Sequence, residues 1–82
     1  MLVHRADMSA NERQEFEQAI RASGRDPLAF KAELFEATLA GLGRTLRCVH
    51  VATRDAAAQY EASAGRSWTE NFARHLARGV FG

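Results

Sequence analysis

Apolar and polar residues alternate with a period of two in the middle of the chain and follow a helical period on either side of it. The clearest alternation runs from Thr45 to Arg54. Val49 and Val51 fall on one face of this segment and Cys48 on the other, which predicts a half-buried strand. The same alternation predicts a second strand over residues 57–63.

The segment from Leu28 to Leu42 fits both periods. Its Ala, Leu, Glu and Lys content and the Asp26-Pro27 pair favour a helix. Against this, Phe30, Ala32 and Leu34 alternate with their neighbours as in a strand. A two-stranded sheet is marginal in water, whereas three strands provide a face that helices can cover. We therefore predict a third strand here, with a helix as the alternative.

Two signals for the start of a helix bracket this region, Ser9-Ala-Asn-Glu12 and Ser67-Trp-Thr-Glu70. In such a capping box the Ser side chain accepts from the backbone N–H three residues on, and the Glu side chain accepts from the Ser N–H. The sequence therefore predicts helices over residues 9–23 and 67–78.

Together these patterns predict an α+β fold that forms one small domain over residues 1–82. Its order is helix, three-stranded antiparallel sheet, helix, with both helices packed on one face of the sheet. The apolar positions that face inward in this arrangement form the expected core: Phe16, Ile20, Phe30, Leu34, Val49, Val51, Tyr60, Trp68, Phe72 and Leu76.

Composition places the chain among ordinary soluble domains, because 46% of its 82 residues are hydrophobic and 26% are charged. Its apolar runs are far shorter than the roughly 20 residues that span a bilayer. Polar residues such as His4 and Asp7 stand where a signal peptide would be apolar. We therefore expect a cytoplasmic protein that does not bind membranes. Its single cysteine allows no internal disulfide, so dimerisation would stabilise so small a domain.

No residue set has the spacing of a known chemistry. Cys48 and His50 share a strand face, but side chains two apart on a strand are separated by roughly 6 to 7 Å, too far for proton transfer. His4, His50 and His75 lack the spacing of a metal site. The Gly41–Arg44 segment lacks the third glycine of a dinucleotide loop and precedes a strand. We predict no catalytic residues, no cofactor and no metal.

The sheet face opposite the helices is the candidate interaction site, because it combines an apolar centre with polar edges. An exposed patch of this kind commonly marks association. We therefore predict a homo-oligomer or a complex with a protein partner. The residues predicted to form this face are Lys31, Glu33, Phe35, Leu46, Cys48 and His50.

A nucleic-acid-binding accessory protein is the alternative function. In this hypothesis bases stack on Phe35, while Arg44, Arg47 and Arg54 contact phosphates. The formal net charge of +1 gives the alternative little support, since nucleic-acid-binding domains are usually far more basic.

The tail of the chain places serine, aromatic, aliphatic and glycine residues at defined intervals: Tyr60, Ser67, Trp68, Phe72, Leu76, Gly79, Val80, Phe81 and Gly82. On these residues the tail resembles the ends of short bacterial proteins of unassigned function. Those proteins tend to read Ser-Trp, three residues, Phe, two residues, Asp-Leu, two residues, Gly, one residue, then Phe or Tyr. His75 replaces the Asp here. The resemblance implies a bacterial origin and strands before the tail, and it transfers no activity.

Overall fold

In the described part of the chain, two helices pack on one face of a four-stranded antiparallel sheet. The structure is a computed structural model, and it describes residues 2–39, 41, 43–62 and 67–81. The α+β class and the two helices are confirmed, whereas the predicted count of three strands is wrong. The elements are β1 (Leu2–Ala6), α1 (Ala10–Ala22), a 3-10 turn (Pro27–Ala29), β2 (Lys31–Leu39), β3 (Arg44–Ala52), β4 (Ala57–Glu61) and α2 (Trp68–Ala77).

The sheet has the strand order β1-β2-β3-β4, and every neighbouring pair is antiparallel. β2 and β3 form a long hairpin in which Leu34 pairs with Val49. β4 continues the same row on the other side of β3, where Tyr60 pairs with Val49. β1 adds to the free edge of β2, with Ala6 opposite Leu34. The central strands are therefore β2 and β3.

The strand absent from the prediction is β1, and its pattern explains why. It has only five residues, and His4 and Arg5 place a polar side chain on each of its faces. Its partner β2 follows only after the whole of α1, so the pairing has no local turn signal. As a consequence, β1 adds Val3 and Arg5 to the sheet face opposite the helices.

The capping box that begins α1 is confirmed. The Ser9 side chain accepts a hydrogen bond from the Glu12 N–H at 3.1 Å, and the Ser9 N–H donates to Glu12 Oε1 at 3.1 Å. The helix ends at Ala22, and Gly24 follows at a φ of 81°, a left-handed conformation that glycine adopts without strain. The chain can therefore leave α1 sharply and return to the sheet.

The second predicted capping box is wrong, although α2 does begin after Ser67. The Ser67 side chain makes no hydrogen bond to the helix backbone. Its hydroxyl instead lies 3.1 Å from Thr69 Oγ1, which donates to Glu15 Oε2 on α1 at 2.7 Å. The Ser67 hydroxyl therefore takes part in a contact between the two helices and does not cap α2.

The ambiguous segment is a strand, as predicted, preceded by a single helical turn. Asp26 Oδ1 accepts from the Leu28 N–H at 2.9 Å and starts the 3-10 turn. The turn ends at Phe30, whose buried ring packs edge-on against that of Phe72. From Lys31 onward the alternation of apolar residues decides the structure. The Asp26-Pro27 signal therefore starts one helical turn but not a longer helix.

The core lies in one layer between the helices and the sheet. The closest ring pair joins the two helices, with the Phe16 and Phe72 centroids 4.9 Å apart. All the predicted core residues are buried, and Ala62 and Phe81 join them. Because these side chains cover one face of the sheet only, the opposite face holds none of the buried core.

Candidate functional site

The candidate site is the sheet face that points away from the helices, hereafter the open face. The structure brings all six predicted residues together here, since they alternate along β2 and β3 with core residues such as Leu34 and Val49. None of the six is buried. They are Lys31, Glu33, Phe35, Leu46, Cys48 and His50.

An apolar groove of about 390 Å³ crosses the centre of the open face. The strand register arranges its apolar side chains in two adjacent rows. Val3, Ala37 and Leu46 form the first row, and Phe35 stands beside Cys48 in the second. Val3 is 56% exposed and Leu46 39% exposed, so water now covers the first row.

Polar side chains border the groove. His50 packs its ring against Phe35, with the ring centroids 5.2 Å apart and the planes inclined by 70°. At the start of β2, Lys31 Nζ lies 3.3 Å from Glu33 Oε1. The open face therefore has an apolar centre with a charged margin.

Cys48 and His50 do not form a catalytic pair in this structure. The Cys48 sulfur accepts a hydrogen bond from Gln59 Nε2 at 2.6 Å, while the described contact of His50 is the ring of Phe35. A cysteine nucleophile needs a base within hydrogen-bonding distance to take its proton. The absence of catalysis stays a prediction, but this pair gives no reason to revise it.

The three histidines lie on three different elements of the fold. His4 is on β1 near Glu36, His50 is on the open face, and His75 is on α2. Among the described residues no group of three or more His, Cys, Asp or Glu side chains is placed to hold a metal ion.

Arg47 and Arg54, the two arginines of the nucleic-acid alternative whose side chains the structure describes, do not lie beside Phe35. Arg47 lies on the helix-covered face, 3.5 Å from Glu12 Oε1 and 3.6 Å from Glu36 Oε1. Arg54 is exposed in the turn between β3 and β4. The side chain of Arg44 lies outside the described part of the structure. Phe35 and Arg47 thus point to opposite sides of the sheet.

The two groups whose pKa values are clearly shifted, Glu12 and Tyr60, lie on the helix-covered side of the sheet. Partial burial raises the pKa of Glu12, but hydrogen bonds from Trp68 and Ser9 and the charge of Arg47 outweigh it, and the pKa is lowered overall. The Tyr60 hydroxyl lies 2.7 Å from His75 Nδ1, and burial raises the pKa of Tyr60 to about 12. These contacts fix the helices on the sheet and do not face the groove.

Sequence reasoning missed the part of the open face that β1 supplies, Val3 and Arg5. The adjacent apolar residues Leu2 and Val3 are the only available signal, since His4 and Arg5 interrupt any alternation. Five residues of this kind are too few to distinguish a strand from an irregular terminus. Ala37, which lines the groove between Val3 and Leu46, lies in a segment whose period was ambiguous.

Comparison with known proteins finds no family model, no curated protein and no solved structure that the chain matches. Among the described residues, no helix combines the length and the apolar character needed to cross a membrane. The open face is therefore the basis for a functional proposal.

Proposed function

We propose that this chain is a small interaction or assembly module without a catalytic role, and that it binds another protein chain through the open face. The observation that carries the proposal is the asymmetry of the sheet. The helices cover one face, while the other face exposes a continuous apolar groove of about 390 Å³. Contiguous exposed apolar surface on a small protein is characteristic of association sites.

The apolar side chains of the groove are contiguous. Isolated exposed hydrophobic residues are normal on protein surfaces. Here Val3, Ala37 and Leu46 are direct cross-strand neighbours, and Phe35 stands in the adjacent row. A partner that covers these residues removes all of them from water at once, which is the main favourable term in protein association.

The charges around the groove favour a protein over a nucleic acid. Among the strand positions whose side chains the structure describes, the open face carries Arg5 and Lys31 as cations and Glu33 and Glu61 as anions. A surface that binds nucleic acid needs an excess of positive charge along the path of the phosphates. Since the described side chains of this face show no excess of positive charge, we do not propose the nucleic-acid alternative. A salt titration of binding to single-stranded RNA tests this exclusion, and the expected result is no binding at any salt concentration.

We also propose a cytoplasmic location. The only cysteine of the chain is Cys48, and its free thiol lies half-buried on the open face. Free thiols persist in reducing compartments, whereas secreted domains of this size usually rely on disulfides. In the cytoplasm the thiol would stay reduced and available for packing in an interface.

The reactivity of Cys48 with a thiol reagent tests the proposed function, because this side chain is the only thiol and lies in the groove. The reaction rate is measured while the protein concentration rises from about 5 to about 500 µM, the range suited to a small interface. We expect the rate for the natural chain to fall as the face becomes covered. In Phe35→Glu the rate should be independent of protein concentration, because a charge in the groove opposes burial.

Leu28→Glu is the matched control. It also replaces an exposed apolar side chain by a carboxylate, since Leu28 is 91% exposed, but Leu28 does not line the groove. This variant should show the same protection as the natural chain. A rate for the natural chain that does not change with concentration would contradict the proposal, and so would equal protection in Phe35→Glu. Far-ultraviolet circular dichroism verifies that each variant is folded.

A further inference from the structure

We infer that the open face binds a second copy of this chain, and that the two copies are related by a twofold axis parallel to the strands that places Arg5 of each copy against Glu61 of the other. The inference rests on the proposed function and deepens it by naming the partner and its orientation. It is carried by one row of residues that crosses the entire sheet.

In this row Arg5 pairs with Phe35, Phe35 with Cys48, and Cys48 with Glu61. Opposite charges thus stand at the two edges of the open face, with an apolar centre between them. Three strand spacings of about 4.8 Å put the two charged positions roughly 14 Å apart, too far to form a pair within one chain. Both side chains are exposed, and neither takes part in the ion pairs formed among the described side chains.

A twofold axis parallel to the strands lays the β1 edge of one copy over the β4 edge of the other. Arg5 then faces Glu61 of the second copy, and the symmetry repeats the contact at the opposite edge. Stacked sheets pack about 10 Å apart with their strands nearly aligned, a gap that long Arg and Glu side chains can bridge. The alternative twofold, perpendicular to the strands, lays β1 over β1 and β4 over β4, so it forms no Arg5–Glu61 contact.

Side-chain size agrees with the parallel axis. That axis lays β2 of one copy over β3 of the other. Phe35 then faces Cys48, and Ala37 faces Leu46, each contact occurring twice. In both rows a large side chain meets a small one, which is how packed layers fill space without voids.

The size of the face predicts a weak dimer. Two strands of nine residues and two of five, at about 3.3 Å per residue and 4.8 Å per strand, cover roughly 450 Å² on each copy. The total of roughly 900 Å² is below the 1,200 Å² or more that stable complexes bury. The dimer should therefore dissociate on dilution, and two charge contacts at its edges should have a measurable effect.

Charge reversal at Arg5 and Glu61 tests the orientation. Arg5→Glu places like charges together at both edges, and so does Glu61→Arg, so each single variant should weaken the dimer about tenfold or more. In an equimolar mixture of the two variants, the carboxylate introduced at position 5 of one copy faces the guanidinium introduced at position 61 of the other. The natural Glu61 and Arg5 meet at the opposite edge, so both contacts are restored.

We expect this mixture to form a heterodimer about as stable as the natural dimer. The double variant, which carries both Arg5→Glu and Glu61→Arg, should also dimerise about as well as the natural chain. Arg13→Glu, an exposed reversal on α1, is the control and should leave the dimer unchanged.

Sedimentation equilibrium of each sample separates failure of the inference from failure of the proposed function. If the natural chain dimerises and Phe35→Glu prevents it, but mixing the two charge variants restores nothing, the orientation is overturned and the proposed function stands. If Phe35→Glu dimerises as well as the natural chain, or the natural chain stays a single chain throughout, both are overturned. Recovery by mixing, together with loss in each single variant, supports both.

Discussion

The indole Nε1 of Trp68 donates a hydrogen bond to Glu12 Oε2 at 2.9 Å and thereby joins the first turns of the two helices. The other oxygen of the same carboxylate accepts from the Ser9 N–H and lies 3.5 Å from Arg47 on β3. One side chain thus connects α1, α2 and the sheet. This contact holds both helices on one side of the sheet, which leaves the other side open.

Replacing Glu12 by Ala should destabilise the protein by about 1 to 3 kcal/mol, because it leaves the N–H of a buried Trp68 without its acceptor. The midpoint of urea unfolding at neutral pH measures the loss. Glu70→Ala, at an exposed position in the first turn of α2, is the control and should cost no more than about 0.5 kcal/mol. Equal midpoints for the two variants would contradict the role given to Glu12.

The same carboxylate should make stability depend on acidity. The pKa of Glu12 is lowered in the folded protein from its ordinary value of 4.5. The ionised form is therefore favoured by folding, so its contribution is present above pH 4.5 and is lost as the pH falls through the lowered value. Unfolding midpoints measured at neutral pH and at about pH 3 should differ less for Glu12→Ala than for the natural chain. Parallel losses in the two proteins would show that Glu12 does not contribute.

Tyr60 predicts a second pH dependence, at the alkaline end. Its pKa is raised by burial from 10 to about 12, so the neutral form is favoured by folding. That contribution is complete below pH 10 and is lost as the pH rises to about 12. Because Tyr60 is the only tyrosine, an ultraviolet titration of the phenol reports this residue alone. An ionisation midpoint near 10 in the folded protein would contradict its burial.

Trp68 should be the most costly core residue to remove. It is 2% exposed and its ring lies 5.8 Å from that of Phe16. Trp68→Ala should cost about 3 to 5 kcal/mol, comparable to the whole stability of a domain this small. We expect no cooperative thermal transition in this variant. Leu28→Ala, at a position 91% exposed, should keep the natural midpoint.

The two helix caps should differ in importance. Ser9→Ala removes an acceptor for the Glu12 N–H and should cost about 1 kcal/mol. Ser67→Ala should cost less, because the Ser67 hydroxyl lies against Thr69 and caps no backbone N–H. Denaturation midpoints of the two variants check this order, and a larger loss for Ser67→Ala would reverse it.

The elements that could be predicted from the sequence are those whose signals are local. The Ser9 capping box and the alternation of Val49 with Val51 depend on residues within a few positions of each other, and both are confirmed. β1 could not be predicted, because its partner β2 lies beyond α1 in the sequence. The Ser67 cap failed for a related reason, since its hydroxyl is engaged by Thr69, which is itself bonded to Glu15 on the other helix.

The membership of the open face followed from the period of the strands. Once Leu34 and Val49 are assigned to the core, the alternation places Phe35 and Cys48 on the other side, as the structure has them. The edge that β1 supplies could not be derived in this way. Arg5 and Glu61 become ends of one row only through the pairing of all four strands, which no local pattern encodes.

The solution mass of the natural chain and of Phe35→Glu, measured by light scattering from about 5 to about 500 µM, tests the central claim most directly. The open face predicts that the mass of the natural chain rises with concentration from 9.1 kDa toward twice that value. Phe35→Glu should remain at 9.1 kDa with unchanged circular dichroism. A natural chain that stays at 9.1 kDa over the whole range, or a Phe35→Glu variant that associates equally well, would contradict the claim that the open face is the binding surface.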